Sequence, residues 1–359
     1  MNAPRIVVIQ PVVPDYRVPL FDALHDRYGS DFAVYASSSA GDGTIRMDAR
    51  ADAYVHPLKT RRWLRGQLVW QSGQAEDLTR VPLVIAPGSL RILSAQWVLL
   101  RRRLAGRRTI LWGHAHGANH WAGLFRRRMF RAADGLIAYS RSDGELMRRI
   151  RGDSKVWVAA NSCVWRRECR PAVRPGVAPL NVLTVGRLVR DKKPLLLLDA
   201  FAHASRERLI PSQASLVFTG DGPLRQPLLD RAAALGIGDR VVLTGHISDR
   251  ERLEALYADA AVSVAAGTLG LSGIQSFSTG VPMVVSKSER HGPELEAARE
   301  GFNTIFFPTD SESGLAEGLA AVFRDADTWL GRRPQIAAEI AANYTYEGMV
   351  AAFIEAIES

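Results

Sequence analysis

Three short stretches in the second half of the chain carry the residue types that hold a phosphate. The first is Gly186-Arg187-Leu-Val-Arg-Asp-Lys192-Lys193-Pro194, directly after an apolar run. Its glycine permits a sharp turn. An arginine and a lysine on one short loop can both reach a single diphosphate, the arginine in bidentate fashion. The second stretch, Thr219-Gly220-Asp221-Gly222-Pro223, also ends an apolar run. The third, Gly267-Thr-Leu-Gly270-Leu271-Ser272-Gly273, opens a helix predicted over Ile274–Ser278. Exposed N–H groups and the dipole at such a helix start favour an anion. Each stretch alone recurs by chance; their order, all at strand ends of one domain, gives them weight. No Gly-Lys-Ser or Gly-Lys-Thr follows a strand, and no Gly-x-Gly-x-x-Gly follows the first strand, so neither of the two commonest nucleotide fingerprints is present. No pair of carboxylates stands out as the acid–base pair of a hydrolase.

The elements that must position these residues alternate strand and helix. In the first half, Ile6–Ile9, Phe32–Tyr35, Leu83–Ala86, Thr109–Trp112, Gly135–Tyr139 and Lys155–Ala159 read as buried strands, with helices such as Arg17–Tyr28 and Ala95–Leu104 between them. Arg166–Pro179 holds Pro171, Pro175 and Pro179 with little apolar periodicity and reads as a linker. The second half repeats the alternation: strands over Leu180–Val185, Ser215–Thr219, Arg240–Thr244, Ala261–Ala265, Pro282–Ser286 and Asn303–Phe307, and helices over Pro194–Arg208, Pro223–Leu235, Asp249–Ala258 and Pro293–Glu300. Pro194, Pro223 and Pro293 sit near helix starts, where a missing N–H costs little. The fold class is therefore α/β, two doubly wound Rossmann-like domains with a ligand cleft at the carboxyl ends of their strands. The expected boundaries are 1–168, a linker at 169–179, a second domain over 180–340, and a terminal helix within 341–359 that returns to the first domain.

With 359 residues, two domains is the natural division. Two cysteines, Cys163 and Cys169, exclude a disulfide scaffold and an all-cysteine zinc site, and fit a reducing compartment. The start runs directly into a strand, with no signal peptide apparent. Between Asp259 and Lys287 there is no charged residue, but the glycines and Pro282 in that stretch read as strand, turn, short helix and strand rather than a membrane span. The net charge of +9 is uneven: residues 1–175 hold 29 Lys+Arg against 14 Asp+Glu, and the remainder is net acidic. Basic clusters lie at Arg101-Arg102-Arg103, Arg107-Arg108, Arg126-Arg127-Arg128 and Arg148-Arg149, with aromatics among cations near Trp63 and Trp70. Solvated helix faces, an anionic membrane surface or an anionic substrate would each account for them. No nucleic-acid motif accompanies them, so nucleic acid is not an expected partner.

At these residues the chain resembles the family 4 glycosyltransferases, retaining enzymes with the GT-B fold. The resemblance covers about residues 180–310 through the Gly-Arg-Leu…Lys loop, the Gly-Asp-Gly-Pro turn, Val242-Leu-Thr-Gly245, Tyr257-Ala-Asp259 through Gly280-Val-Pro282, and His291-Gly-Pro293-Glu294. The first half matches more loosely at Asp15-Tyr16-Arg17, Trp112-Gly113-His114, Ala133-Asp134 with Ser140, and Val158-Ala-Ala-Asn161. It implies that Arg187 and Lys192 grip the donor diphosphate, with Gly186, Gly220 and the amides of Gly270, Leu271 and Ser272 around it. It implies that His114, or else His116, contacts the donor sugar, that Gln275 and Glu294 belong to the donor-binding set, and that Tyr16, Arg17 and His116 lie on the acceptor side. Cations supplied by side chains need no metal and no cofactor. Asp325-Ala-Asp327, an Asp-x-Asp match, lies in a helical region and is read as chance.

One departure stands out. The family carries two glutamates eight positions apart in the glycine-rich segment; here those positions are Gly267 and Gln275. Gln275 can still hydrogen-bond to a ribose, while Gly267 offers no side chain and Glu294 lies on a later turn. The expected partners are a nucleotide diphosphate sugar and a saccharide or lipid-linked saccharide, with the protein cytoplasmic and peripheral at the inner face of a membrane. A sugar-nucleotide epimerase or hydrolase, and a catalytically silent partner subunit of the same fold, remain as alternatives.

Overall fold

The computed structural model describes residues 3–38, 53–64, 66–73, 77–115, 120–176 and 178–359, with backbone alone for 120–122. The chain divides into two units. Unit 1 comprises Met1–Asn161 and Tyr346–Ser359, and unit 2 comprises Ser162–Thr345. The division after Asn161 precedes the expected linker. Residues of that linker belong to unit 2, where the Ala172 N–H donates to Thr279 O at 2.9 Å.

Unit 1 runs β1 (Ile6–Gln10), α1 (Val18–Tyr28), β2 (Phe32–Ser37), β3 (Val55–Trp63), β4 (Leu68–Ser72), β5 (Leu83–Pro87), α2 (Leu93–Leu104), β6 (Arg108–Gly113), α3 (His120–Ala132), β7 (Gly135–Ala138), α4 (Arg141–Arg151) and β8 (Val156–Val158), closed by α11 (Tyr346–Glu358). Among the described residues the sheet order is β4-β3-β2-β1-β5-β6-β7-β8. Pairing is parallel except between β3 and β4. β1, β2, β5 and β7 are buried at every position, as a parallel sheet covered on both faces requires. Ala95 and Leu99 of α2, Met129 and Phe130 of α3, and Met147 and Ile150 of α4 join one core on one face of the sheet. The hairpin β3–β4 was not legible as strands, because its residues near Trp63 and Trp70 pair at an exposed edge and carry charge where a central strand would be apolar.

Unit 2 runs β9 (Asn181–Val185), α5 (Pro194–Arg206), β10 (Leu216–Thr219), α6 (Arg225–Ala234), β11 (Val241–Gly245), α7 (Arg250–Asp259), β12 (Ala260–Ala265), α8 (Leu271–Ser278), β13 (Met283–Ser286), β14 (Thr304–Phe307), α9 (Glu312–Arg324) and α10 (Ala326–Asn343). The order among the described residues is β11-β10-β9-β12-β13-β14, and every pairing is parallel. From β9 the chain builds outward to β10 and β11, then returns to β9's other side with β12. The order therefore reverses between β9 and β12, the place where open α/β sheets bind ligands.

Two expected helices differ. The helix expected over Ile274–Ser278 begins earlier, at Leu271, because Gly270 in an extended conformation (φ −144°) serves as its N-cap. The helix expected over Pro293–Glu300 is a 3-10 turn, Pro293–Ala297. There Asn303 donates to Ala297 O and accepts from the Arg299 N–H, which ends the turn. Among the described residues no helix is long and apolar enough to cross a membrane.

Candidate active site

The loop leaving β9 and the turn leaving β12 meet at the reversal of unit 2. Gly186 follows β9, and its N–H donates to Thr219 O at 2.9 Å. The loop continues through exposed Arg187 into a 3-10 turn, Arg190–Lys192, and Lys193 adopts a left-handed conformation (φ 49°) that starts α5. Lys192 Nζ donates to Thr268 O at 2.7 Å, which bends the side chain over the glycine-rich turn before α8. A Cβ placed on Gly270 would lie 3.9 Å from that nitrogen, so the ammonium sits beside the N-cap of α8. Burial pushes the Lys192 pKa below the ordinary lysine value and neighbouring Arg187 pushes it further, with Glu294 and Asp191 opposing. Lys192 is thus held beside Arg187 at the positive end of a helix dipole, partly withdrawn from solvent while Arg187 is exposed. An anion relieves all three unfavourable terms at once.

The glycines here serve close approach. Gly220 lies at φ 138°, and a Cβ on it would collide with the carbonyl of Gly186. That contact holds the turn after β10 against the anion loop. At Gly267 a Cβ would meet the Asp191 carbonyl and the Lys192 backbone. The Thr268 N–H donates to the same Asp191 carbonyl at 2.9 Å, which pins the contact. A side chain at position 267 would have to displace the loop that carries Lys192.

A second clasp holds the turn from the other side. The Leu269 N–H donates to His291 Nδ1 at 3.0 Å, and His291 Nε2 contacts Ser286 O at 2.9 Å. A backbone N–H only donates and a carbonyl only accepts, so the ring is neutral with its proton on Nε2. Burial lowers the His291 pKa from its ordinary value, and Lys192 adds to the lowering. Glu294 is buried one turn on, with its carboxylate folded over Gly292. Leu271 and Ser272 form the first turn of α8, and Gln275 lies on the next turn, half-buried. Leu271 O accepts from Cys163 Sγ at 3.6 Å, and burial, with Glu294 nearby, pushes that thiol up to about 12.

Unit 1 places His114 directly after β6, with half of its side chain exposed. Its Nδ1 lies 3.1 Å from Asp143 Oδ2, and Asp143 Oδ1 accepts from the Ala115 N–H at 2.7 Å. The carboxylate only accepts, so it holds the proton on Nδ1 and leaves Nε2 free to meet a ligand. Asp143 is buried in the first turn of α4, where the Asp143 N–H donates to the N-cap Ser140 Oγ at 3.1 Å. The His114 ring packs on Tyr139 with centroids 4.6 Å apart. Asp143 escaped the sequence reading. Its one signal is the Ser140-x-x-Asp143 spacing, which marks a helix start and says nothing of a histidine.

Tyr16 and Arg17 form a 3-10 turn, Asp15–Arg17, ahead of α1. Tyr16 is half-buried and Arg17 is buried. The Arg17 guanidinium lies 4.8 Å over Trp112 and donates to Asn161 Oδ1 at 2.9 Å. Arg17 thus packs within unit 1 on Trp112 and Asn161. His116 lies outside the described residues. Among the described residues no cluster of three or more His, Cys, Asp or Glu side chains is placed to hold a metal ion.

Comparison with known proteins follows the same division. Residues 179–325 match the family described as glycosyl transferases group 1. A GDP-mannose-dependent alpha-(1-6)-phosphatidylinositol dimannoside mannosyltransferase of Mycobacterium tuberculosis is 36% identical over 128 residues, covering 34% of this chain and 32% of that protein. A Campylobacter jejuni alpha-1,4-N-acetyl-D-galactosaminyltransferase, which acts on a diNAcBac-PP-undecaprenol-linked saccharide, is 29% identical over 155 residues, covering 40% of this chain and 38% of that protein. The chain thus spans about a third of the length of the curated relatives it matches. A crystal structure of Anabaena Alr3699/HepE in complex with UDP superimposes with a TM-score of 0.71 at 15% identity, covering 99% of both chains. That likeness establishes the fold.

Proposed function

We propose, from the match of residues 179–325 to the family of glycosyl transferases group 1 and from the GT-B frame, that the chain is a retaining, metal-independent glycosyltransferase. It moves a sugar from a nucleotide diphosphate donor to an acceptor hydroxyl, in polysaccharide or lipid-linked saccharide assembly. The observation that carries this reading is the Lys192 ammonium, buried beside Arg187 and tied to Thr268 O at the start of α8. These two cations and the first N–H groups of α8 neutralise the charge that develops on a departing diphosphate. Gln275 on the same helix hydrogen-bonds the donor ribose through its amide. His114, with Nε2 free, contacts the donor sugar. The acceptor oxygen attacks the anomeric carbon from the face the diphosphate leaves, the bond from that carbon to the diphosphate oxygen breaks, and a diphosphate oxygen takes the acceptor proton.

The test is turnover in Arg187→Ala and Lys192→Ala. Each should lose about 10²–10³-fold in kcat with an unchanged circular dichroism spectrum. Near-normal rates in both would remove the leaving-group argument. A melting-temperature screen against nucleotide sugars would identify the donor, because a ligand of the native state raises stability.

A second reading, a silent partner subunit, is favoured by Gly267, which offers no side chain and against which the Asp191–Lys192 backbone leaves no room for one. No stabilisation by any nucleotide diphosphate would support it. Product release from donor alone would instead support the hydrolase or epimerase alternative.

A further inference from the structure

We infer that the outer face of unit 1 formed by α2 and the β3–β4 tip docks on an anionic lipid surface. Along α2, Leu93, Trp97, Leu100 and Leu104 recur at i, i+4, i+7 and i+11, which is one stripe of a helix. That stripe faces solvent: Trp97 and Leu100 are each 50% exposed and Leu104 81%. The opposite face of the same helix, with Ala95, Leu99 and Arg102, is buried on the sheet. An apolar stripe on each side of one helix exceeds what folding uses.

The patch extends beyond α2. Val69 of β4 bridges Ile92 at the start of α2, and the Val69 N–H donates to Arg91 O at 2.8 Å. At the tip of the hairpin that β4 forms with β3, Trp63 and Leu64 are exposed. On the other side, Gln96 Nε2 contacts Met129 Sδ at 3.0 Å and Arg103 Nη1 donates to Ala132 O at 2.9 Å, so α3 lies alongside with Phe125 exposed.

Charge selects the occupant. From Asp77 to Asp134 the chain holds eleven arginines and no acidic residue between those two aspartates. At ~100° per residue, Arg101 and Arg103 fall on the two sides of the stripe, and both are exposed. Aromatic and leucine side chains flanked by cations match the boundary between acyl chains and anionic headgroups. A nucleic acid would use the arginines and leave the leucine stripe uncovered. This inference stands independently of sugar transfer.

The test is flotation of the full chain with vesicles of phosphatidylcholine alone and of equimolar phosphatidylcholine and phosphatidylglycerol. The chain should float with the anionic vesicles, with a blue shift in tryptophan emission, and at least about tenfold less with the neutral ones. Trp97→Glu with Leu100→Glu should lose at least about tenfold of the anionic binding while keeping its melting temperature. Leu229→Glu, an exposed leucine on unit 2, should bind as the parent does. Failure of the parent chain to float at low salt would overturn the inference. Unchanged binding by the double variant would overturn it by showing a purely electrostatic contact with any polyanion. A lipid-free dimer that Trp97→Glu dissociates, without vesicle binding, would assign the face to a second copy. Stabilisation of the double variant by a nucleotide sugar, scored separately, keeps this outcome distinct from the transfer chemistry.

Discussion

At the scale of single residues, the site in unit 2 is built from groups whose environments oppose their charge. Lys192 is cationic where burial and Arg187 both disfavour a cation, so its position has a cost that an anion repays. His291 shows the same logic with the opposite result: it is held neutral because its two ring nitrogens already have fixed partners. Its folded pKa is lowered, so the unfolded chain binds the extra proton first. Stability from this clasp is therefore complete above the ordinary histidine value of about 6.5 and falls as pH drops through and below it. Melting temperatures across that range should decline more steeply in the parent chain than in His291→Gln; identical pH profiles would refute the clasp. The candidate anion-site residues were legible in the sequence because three Gly-rich stretches, one of them with Arg and Lys, fall in order at strand ends of one domain. Thr268 O and Asp143 were not legible. One acts through its backbone, and the other meets His114 only after β6 and α4 are laid side by side.

Elements show how one run of identical residues is divided. Arg101, Arg102 and Arg103 read alike in sequence, as a basic surface. On α2 the middle arginine turns inward and is fully buried. It donates to Val81 O at 2.9 Å, to Thr109 Oγ1 at 2.9 Å, and to the carbonyls of Leu78, Pro82 and Arg108. Burial lowers its pKa to about 10, well above neutrality, so it remains a cation there. Arg102 ties the loop before β5 to the start of β6, whose far end carries His114. Arg102→Ala would strand several buried carbonyls and should cost about 3 kcal/mol or more. Urea denaturation checks it, against Arg101→Ala as the exposed control, which should change stability by less than about 0.5 kcal/mol. Helix phase alone places the three arginines on three sides, but which side meets the sheet depends on the partner strands.

For the whole molecule, the terminal helix decides where unit 1 ends. α11 returns to unit 1: Phe353 packs edge-on against Trp112 with centroids 4.8 Å apart, and Tyr346 OH donates to Tyr16 O at 2.6 Å. Arg108 adds bonds to Ile357 O and Ala356 O at 2.9 and 2.6 Å. Phe353→Ala should lower stability by about 3–5 kcal/mol. In calorimetry the transition of unit 1 should move while that of unit 2 stays, and a shared shift would contradict the division. Sequence alone determined the alternation of strands and helices, the glycine-rich loops at strand ends and the α/β class, because those depend on periodicity and on local turn chemistry. Tertiary structure decided which arginine is buried, which histidine is oriented and by what, and why Gly267 has no room for a side chain. Each of those depends on groups far apart in the chain being brought within a few ångströms, a condition that local periodicity does not encode.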